Sequence, residues 1–496
     1  MQVLRLRQHS DANGQHRVEV ELSGVEGQAD LSAVSEFPFE LTESDQNDLR
    51  WYLEDYLQYP YQEGQAIARR IERRIAELGT ELFEAVFHSS DDARDLWAQL
   101  RSRLHETRVE ISASVRDVTA IPWELLCDTR TNSAFALHAS AFVRTQHGAT
   151  RNVRLPDLPG REDEPVRILL VICRPGGGED VPFRSVASRL IKGLTEETRQ
   201  RYQLDVLRPP TFGRLGEVLR SAREAGRPYH VVHFDGHGAY LETPDVSPVG
   251  KLLQRLGAIM LGAPRAGAHG YLCFENADAQ GNVELVDGTA LGDLLYETQT
   301  PVLVLNACRS AHAAPLNAPE AASEAAKDGD EHTQVRAFGS LAQEVIDQGV
   351  AGVVAMRYNV YVVTAAQFVA DLYGALARGR SLGEAVTHGR KQLAARPERS
   401  IAYAPIPLQD WPVPVVFEAA PIRLFPEAAE DDGTLHISVS AGADAEGPGQ
   451  AVGQASGIDN ALPPAPDAGF FGRDETLLAL DRAFDRDNVV LSLIHI

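Results

Sequence analysis

The sequence predicts an α/β fold in which helices cover both faces of a mostly parallel sheet, preceded by an N-terminal α+β region. From about Pro165, short and wholly apolar runs alternate with helical segments. A continuous apolar run is typical of a strand that is buried on both faces, and strands that alternate with helices indicate a parallel sheet. The hydrophobic content of 44% and the charged content of 24% are those of a globular protein.

The N-terminal region combines short strands with helices. "HRVEVEL" (His16–Leu22) and "FPFELT" (Phe37–Thr42) show the alternation of half-buried strands. A long amphipathic helix with one apolar face follows. Its aliphatic residues recur at helical spacing at Ile67, Ile71, Ile75, Leu78 and Leu82. "IPWELLCD" (Ile121–Asp128) is an apolar turn that leads into a helix.

The second half supplies the strands of the predicted parallel sheet. They are expected at Val166–Cys173, Tyr202–Leu207, Tyr229–Phe234, His269–Glu275, Pro301–Cys308, Val350–Met356 and Val413–Glu418. Helices are expected near Phe183–Leu194, Thr211–Ala225, Leu291–Glu297 and Leu341–Gln348, with another long helix before the last strand.

Two stretches interrupt this alternation, and the second of them separates predicted domains. Ala313–Arg336 is rich in alanine, proline and acidic residues and is predicted to be an exposed loop, and Ala441–Asp467 has the composition of a flexible linker. We therefore expect an N-terminal region at 1–160, a second domain at 161–420, a linker at 421–468 and the start of another module at 469–496.

Charge and cysteine content narrow the class of protein. The formal net charge of −23 argues against nucleic-acid binding as the main activity, since nucleic-acid binders carry clustered basic charge. The four cysteines show no CxxC spacing, so they indicate neither a disulfide framework nor a zinc knuckle. A reducing compartment fits them. Without an apolar leader or a membrane-spanning run, a cytoplasmic protein with no membrane partner is expected.

Polar residues collect where two of the predicted strands end. In parallel α/β sheets, functional groups lie in the crevice beyond the carboxyl ends of the strands. One strand ends in "HFDGHG" (His233–Gly238) and another in "LNACRSA" (Leu305–Ala311). A histidine at a neighbouring strand end could take the proton of Cys308, whose thiolate would be the effective nucleophile. The other three cysteines are predicted to be small buried hydrophobes.

The histidines allow three interpretations: metal ligands, a structural histidine, or a catalytic base. Zinc needs several converging ligands, and the glycines beside His237 argue against a helix that would put His233 and His237 on one face. We expect His233, within the strand, to be buried and hydrogen-bonded. His237 follows the strand between Gly236 and Gly238, where backbone can approach a substrate closely, and is the better base.

These two motifs resemble the histidine and cysteine motifs of the caspase-like cysteine peptidases, and more narrowly those of the CHAT family. The resemblance covers roughly Leu82–Glu418 and is carried in order by further segments. They are "IPWELLCD", "GYLCFEN", "GVAGVVAMRYNV", "FVADLYGALARGRSLGEAV" and "WPVPVVFE".

The resemblance implies a caspase-like fold and a cysteine endopeptidase with His237 as general base and Cys308 as nucleophile. The backbone N–H groups of Gly238 and Cys308 would form the oxyanion hole. Asp235 and Asn306 are candidates for the pocket that receives the substrate side chain before the scissile bond. Relatives that prefer basic residues carry an aspartate at the position of Asn306. The alternative for both residues is a structural role in capping or loop hydrogen bonds. No cofactor and no metal is expected.

The C-terminal stretch "FFGRDETLLALDRAFDRDNVVLSLIHI" resembles the opening of a STAND-type NTPase module. A phosphate-binding GxxxxGK[ST] should follow its last strand, so the chain is expected to be a fragment of a longer protein. The loop after Cys308 lies where activation or self-cleavage acts in caspase-like proteins.

Together these features predict the effector part of a sensor–effector protein in bacterial defence or regulated cell death. Its expected partners are a protein or peptide substrate and the C-terminal sensor region. The alternative is a catalytically silent caspase-like scaffold that acts in signalling; a metal-dependent hydrolase is a third, disfavoured interpretation.

Overall fold

The computed structural model describes most of the chain in a series of segments. They are residues 2–10, 16–24, 29–59, 62–113, 121–131, 133–145, 151–153, 165–175, 201–243, 253, 257–261, 267–306, 341–358, 361–399, 405–426 and 439–441. Cys308 lies outside these residues, as do the predicted helix at 183–194, the predicted loop at 313–336 and nearly all of the predicted linker. The stretch at 469–496 also lies outside them.

The N-terminal part contributes both strands and helices. Its strands are β1 (Gln2–Ser10), β2 (His16–Ser23), β3 (Leu31–Glu36), β4 (Thr107–Ala113), β5 (Cys127–Asp128), β6 (Ser133–Ala134) and β7 (Ala141–Thr145). Its α-helices are α1 (Glu43–Arg50), α2 (Gln62–Phe87), α3 (Asp91–Leu100) and α4 (Phe135–His138).

One N-terminal strand lies earlier in the chain than predicted. The strand expected at Phe37–Thr42 is found at Leu31–Glu36, and residues 37–42 lead into α1 instead. Pro38 has no N–H for a strand ladder. Thr42 is the N-cap of α1, because its hydroxyl accepts a hydrogen bond from Asp45 N at 3.1 Å.

The remaining elements include the predicted alternation of strands and helices, together with further short strands. The strands are β8 (Val166–Ile172), β9 (Tyr202–Val206), β10 (Val231–Asp235), β11 (Gly238–Thr243), β12 (Ile259–Met260), β13 (Gly267–Glu275), β14 (Val283–Asp287), β15 (Val302–Asn306), β16 (Gly352–Met356), β17 (Glu398–Arg399), β18 (Ile406–Pro407), β19 (Pro414–Glu418) and β20 (Val439–Ala441). The α-helices are α5 (Phe212–Glu224), α6 (Gly288–Glu297), α7 (Val362–Ala377) and α8 (Leu382–Ala395), with a further helical segment at 341–347.

A twelve-stranded sheet organises these elements, in the order β20-β9-β8-β10-β15-β16-β19-β7-β4-β1-β2-β3. The central strands β9, β8, β10, β15 and β16 are all parallel, as the sequence predicts. β19 is antiparallel to β16. Two helices that pack against each other, α7 and α8, lie between these strands in the chain, so the chain passes along the sheet twice before β19 begins. The N-terminal strands extend this same sheet through β7, β4 and β1.

A smaller four-stranded sheet, in the order β11-β13-β14-β12, lies beside the main one. The sequence predicts a strand at His269–Glu275 and places it in the parallel series. It is instead part of β13, which is antiparallel to β11 and to β14. Strands that follow one another closely in sequence tend to pair, and β11 was not recognised as a strand.

Apolar side chains cover both faces of the main sheet. Val231, in β10, belongs to the core cluster that also contains residues of α7 and α8. Val232, the next residue, belongs to the cluster on the opposite face, with residues of α5, α6 and the segment at 341–347. The central sheet is therefore covered by helices on both sides, as predicted. No helix among the described residues combines the length and apolar character needed to cross a bilayer.

Candidate active site

The order of the central strands places a crevice between β8 and β10. From β8 the chain goes to β9 on one side and then returns to β10 on the other. In open parallel sheets, such a change of direction leaves a crevice beyond the carboxyl ends of the two strands, where ligands bind. The "HFDGHG" motif, His233–Gly238, spans this point, because β10 ends within it at Asp235.

The strands that carry the histidine and cysteine motifs are direct neighbours. β10 and β15 are parallel, and Asp235 lies opposite Asn306 in the register. Gly236 N donates a hydrogen bond to Asn306 O at 3.3 Å. In the sequence, His237 is two residues beyond the end of β10, and Cys308 is two residues beyond the end of β15. Cys308 itself lies outside the described residues.

Hydrogen bonds from three neighbouring strands hold the turn that carries His237. Besides the bond to Asn306 O, Cys173 N donates to Asp235 O at 2.9 Å. Cys273 N, from β13, donates to His237 O at 3.0 Å. The side chain of His237 is half-buried. The backbone on both sides of this histidine is thus fixed by the sheet.

The two glycines beside His237 differ in their roles. Gly236 is required by close packing, whereas Gly238 matters for the direction of its backbone N–H. A Cβ at Gly236 would lie 2.8 Å from the Phe234 ring and 3.2 Å from Cys173 Cβ. Gly238 pairs with Leu272 in the β11–β13 ladder, next to the hydrogen-bonded pair that His237 forms. Residues alternate between hydrogen-bonded and non-hydrogen-bonded pairs in such a ladder. The N–H of Gly238 is therefore directed away from β13.

Asp235 is tied to an arginine that the sequence reasoning missed. The Asp235 carboxylate is fully buried, and its Oδ1 accepts from Arg174 Nη2 at 2.9 Å. The other amine of this guanidinium, Nη1, donates at 2.8 Å to both Asp235 O and Cys173 O. Arg174 directly follows the apolar run of β8 in the sequence. This position alone could have predicted that it lies at the same edge of the sheet as the two motifs.

Two buried acceptor oxygens, at the ends of β10 and β15, have no hydrogen-bonding partner among the described residues. They are Asp235 Oδ2 and Asn306 Oδ1. Alternation along β8, β10 and β15 puts Arg174, Asp235 and Asn306 on the face of the sheet that α7 and α8 cover. An unpartnered acceptor is costly when it is buried, which marks this spot as one suited to a hydrogen-bond donor.

His233 has the environment of a structural residue, as predicted. It is fully buried in β10, and its Nδ1 lies 3.0 Å from the hydroxyl oxygen of Tyr373 in α7. Burial lowers the pKa of His233 to about 4, although the nearby Asp235 carboxylate opposes this shift. A neutral imidazole follows at physiological pH.

Of the described cysteines, Cys173 and Cys273 are buried, as predicted, whereas Cys127 is half-buried. Cys173 is buried, and its Sγ lies 3.4 Å from Pro210 O. Burial raises the pKa of the Cys173 thiol well above its usual value, and burial together with Asp128 raises that of Cys127. Within the described part of the chain, no three His, Cys, Asp or Glu side chains come together as metal ligands would.

A second set of buried charges forms a network at the "IPWELLCD" turn. Glu124, in a 3₁₀ turn at Trp123–Leu125, is 1% exposed and accepts two hydrogen bonds from Arg144, at 3.0 and 2.7 Å. Arg357, which follows β16, and Arg390, in α8, lie 3.7 and 3.9 Å from the same carboxylate. The network joins this N-terminal turn to β7, to β16 and to α8.

Similarity to solved structures is weak in sequence and partial in extent. A crystal structure of the Saccharomyces cerevisiae separase–securin complex matches with 10% identity and a TM-score of 0.39, over 85% of this chain and 30% of that chain. A second structure of that complex matches with 9% identity and a TM-score of 0.41, over the same shares of both chains. The present chain thus spans less than a third of those it matches. Among curated proteins there is no match.

The family comparison also covers most of the chain. The model of the CHAT domain matches residues 29–422. This match includes the turn at Glu124, the buried Arg174–Asp235 pair, the His237 turn and the neighbouring end of β15. The motifs of "HFDGHG" and "LNACRSA" lie within it, at adjoining strand ends. The chain belongs to the CHAT-domain family.

Proposed function

We propose that this protein is a cysteine endopeptidase in which His237 is the general base and Cys308 the nucleophile. The imidazole takes the thiol proton, and the thiolate attacks a peptide carbonyl. The tetrahedral intermediate then collapses to a thioester as the amine leaves with a proton from His237. Water, deprotonated by the same imidazole, hydrolyses the thioester and regenerates the thiol. The observation that carries the proposal is the parallel pairing that puts Asp235 opposite Asn306.

Gly238 and Cys308 are proposed to supply the oxyanion hole through their backbone N–H groups. The pairing of β11 supports the first of these, because the N–H of Gly238 is directed away from β13. Removing one such donor typically costs about 3–4 kcal/mol of transition-state stabilisation. Both groups belong to the backbone, so side-chain substitution does not remove them.

Asp235 and Asn306 are proposed to contact the substrate side chain before the scissile bond. The buried acceptors Asp235 Oδ2 and Asn306 Oδ1 favour a side chain that donates hydrogen bonds, an amide or a cation, over an acidic one. A positional peptide library, read by mass spectrometry, tests this. Enrichment of aspartate or glutamate before the cleaved bond would contradict it.

Alkylation by iodoacetamide tests the peptidase proposal without a known substrate. Cleaved peptides from the labelled protein identify which of the four cysteines reacted, and at which pH. We expect Cys308 to react well below the usual thiol pKa of about 8.5, because a histidine partner stabilises the thiolate. His237→Ala should return its titration to that value, and His233→Ala is the matched control that should not. Equal, slow labelling of all four cysteines would favour a silent scaffold.

Turnover provides the second test. Cys308→Ala and His237→Ala should each abolish cleavage of a labelled casein by the activated full-length protein, and the double variant should be no worse than either. His233→Ala should keep measurable activity. Full activity in Cys308→Ala would overturn the assignment.

We also propose that the peptidase is the effector part of a sensor–effector protein in bacterial defence or regulated cell death. The likeness of residues 469–496 to the opening of an NTPase module is what supports regulation by such a module. Activity that is released only when the regulatory region binds its nucleotide would support this arrangement. Equal activity with and without that region would contradict it.

A further inference from the structure

We propose that Arg174 is a positioning residue for His237, an inference that rests on the proposed function. Arg174 is 3% exposed and lies two residues beyond the end of β8, beside the end of β10. Its guanidinium contacts Asp235 through both the carboxylate and the main-chain carbonyl, at 2.9 and 2.8 Å. It therefore holds the residue two positions before the base by side chain and by backbone at once.

The geometry requires a guanidinium rather than a simple positive charge. Nη1 donates to the carbonyls of Cys173 and Asp235, at the ends of the neighbouring strands β8 and β10, and Nη2 donates to the Asp235 carboxylate. The planar fork of arginine can satisfy these acceptors together, whereas a lysine ammonium is a single point of charge. The pair is buried, so water cannot replace the missing bonds.

The same residue also links the His237 turn to the smaller sheet. Arg174 N donates to Glu275 Oε1 at 2.7 Å, and Glu275 ends β13. Two residues earlier, Cys273 N donates to His237 O at 3.0 Å. The backbone of His237 is thus held through β13 on one side and through Asp235 on the other, and Arg174 contacts both supports. No atom of Arg174 is required to touch the substrate.

Loss of the fork should displace His237 without removing it. A base that is misplaced by about 1 Å can lower turnover about a hundredfold. A displaced imidazole also stabilises the Cys308 thiolate less, so the pH at which this thiol reacts should rise. Removal of a side chain that only stabilised the fold would leave that pH unchanged in the folded protein.

The experiment measures the pH dependence of Cys308 alkylation by iodoacetamide, with mass spectrometric identification of the site. Arg174→Lys keeps the buried charge opposite Asp235 and should remain folded at 20 °C. We expect it to move the alkylation midpoint up by about one pH unit, part of the way to the value in His237→Ala. Arg174→Gln combined with Asp235→Asn removes both charges together and should shift the midpoint in the same direction.

Arg167→Ala is the matched control. Arg167 lies near the start of the same strand and pairs with Asp205 at 3.1 Å, far from the crevice. It should lower the unfolding temperature and leave the Cys308 midpoint where it is. An unchanged midpoint in both Arg174 variants, with a clear shift in His237→Ala, would overturn the positioning role alone. No shift in His237→Ala would overturn the proposed function itself.

Discussion

Glu124→Gln should destabilise the fold more than any surface substitution, because it removes the carboxylate shared by three buried guanidinium groups. Arg144 binds this carboxylate at 2.7 Å, and Arg357 and Arg390 lie within 3.9 Å of it. The arginines also donate to main-chain carbonyls, among them Ile121 O and Pro414 O. The substitution keeps the shape and these carbonyl bonds while it deletes the compensating charge.

The size of the destabilisation follows from the burial of Glu124 and its arginine partners. Removing one partner of a buried ion pair costs about 3–5 kcal/mol, because the other charge is left in a medium that solvates it poorly. Burial already lowers the pKa of Arg390 to about 10, which shows how weakly this site tolerates charge. For a domain of this size the loss corresponds to a fall of roughly 3–10 °C in unfolding temperature.

The effect should depend on pH with a definite sign. Burial opposes ionisation of Glu124, but Arg144, Arg390 and Arg357 outweigh it and lower the pKa of this carboxyl. A carboxyl with a lowered pKa in the folded state contributes stability above its unfolded pKa of about 4.3, and this stability is lost as the pH falls further. The gap between wild type and variant should therefore be constant from pH 8 to pH 5 and shrink below pH 4.

Thermal unfolding followed by circular dichroism over this pH range measures the gap. Asp91→Asn is the control, since it removes an exposed ion pair to Arg94, at 2.6 Å, of the kind that contributes under about 1 kcal/mol. If Glu124→Gln unfolds within 1 °C of wild type at pH 7, the reasoning about buried charge is refuted. A gap of the same size at pH 3 would refute the assignment of the titrating group.

The remaining predictions concern the site and its neighbours. Gly236→Ala, which places a methyl group 2.8 Å from the Phe234 ring, should lower both the unfolding temperature and turnover, whereas Gly213→Ala, which meets nothing within 4 Å, should lower neither. Because burial lowers the pKa of His233 to about 4, stability should fall as the pH drops from about 6.5, where the unfolded chain takes up this proton, towards that value. His233→Gln should flatten this slope in a pH series of thermal unfolding, and an unchanged slope would contradict the shift. Cys173, whose thiol is buried, should be alkylated only after denaturation; labelling in the folded protein would contradict its burial.

The central strands could be predicted because their burial on both faces leaves wholly apolar runs in the sequence. Val302–Leu305 is such a run, and the structure pairs it directly with Val231–Phe234, which is apolar except for His233. The strand at Leu31–Glu36 was misplaced, since its exposed Val34 and buried Ser35 invert the expected pattern. Ser35 is buried because its hydroxyl donates to Val86 O at 2.6 Å, a long-range contact that no local pattern encodes.

The motifs indicate candidate site residues, but they do not reveal the buried arginines that contact them. Charged residues are read as surface unless their partners are known, and the partners here lie far away in sequence: Glu124 with Arg390, and Arg174 with Asp235. Such pairs add little net stability over an apolar core, but they penalise every arrangement in which one member is misplaced.

Both networks involve residues at the ends of parallel strands. Arg357 follows β16, and Arg174 follows β8, so the strands that flank β10 and β15 are each joined at this level to a buried carboxylate. An apolar core fixes the spacing of these strands, but it allows small slides along their axes. A buried guanidinium fork does not, because a slide of 1 Å would break bonds that water cannot replace. The Arg174 fork therefore holds the carbonyl ends of β8 and β10 at one level, beside the end of β15.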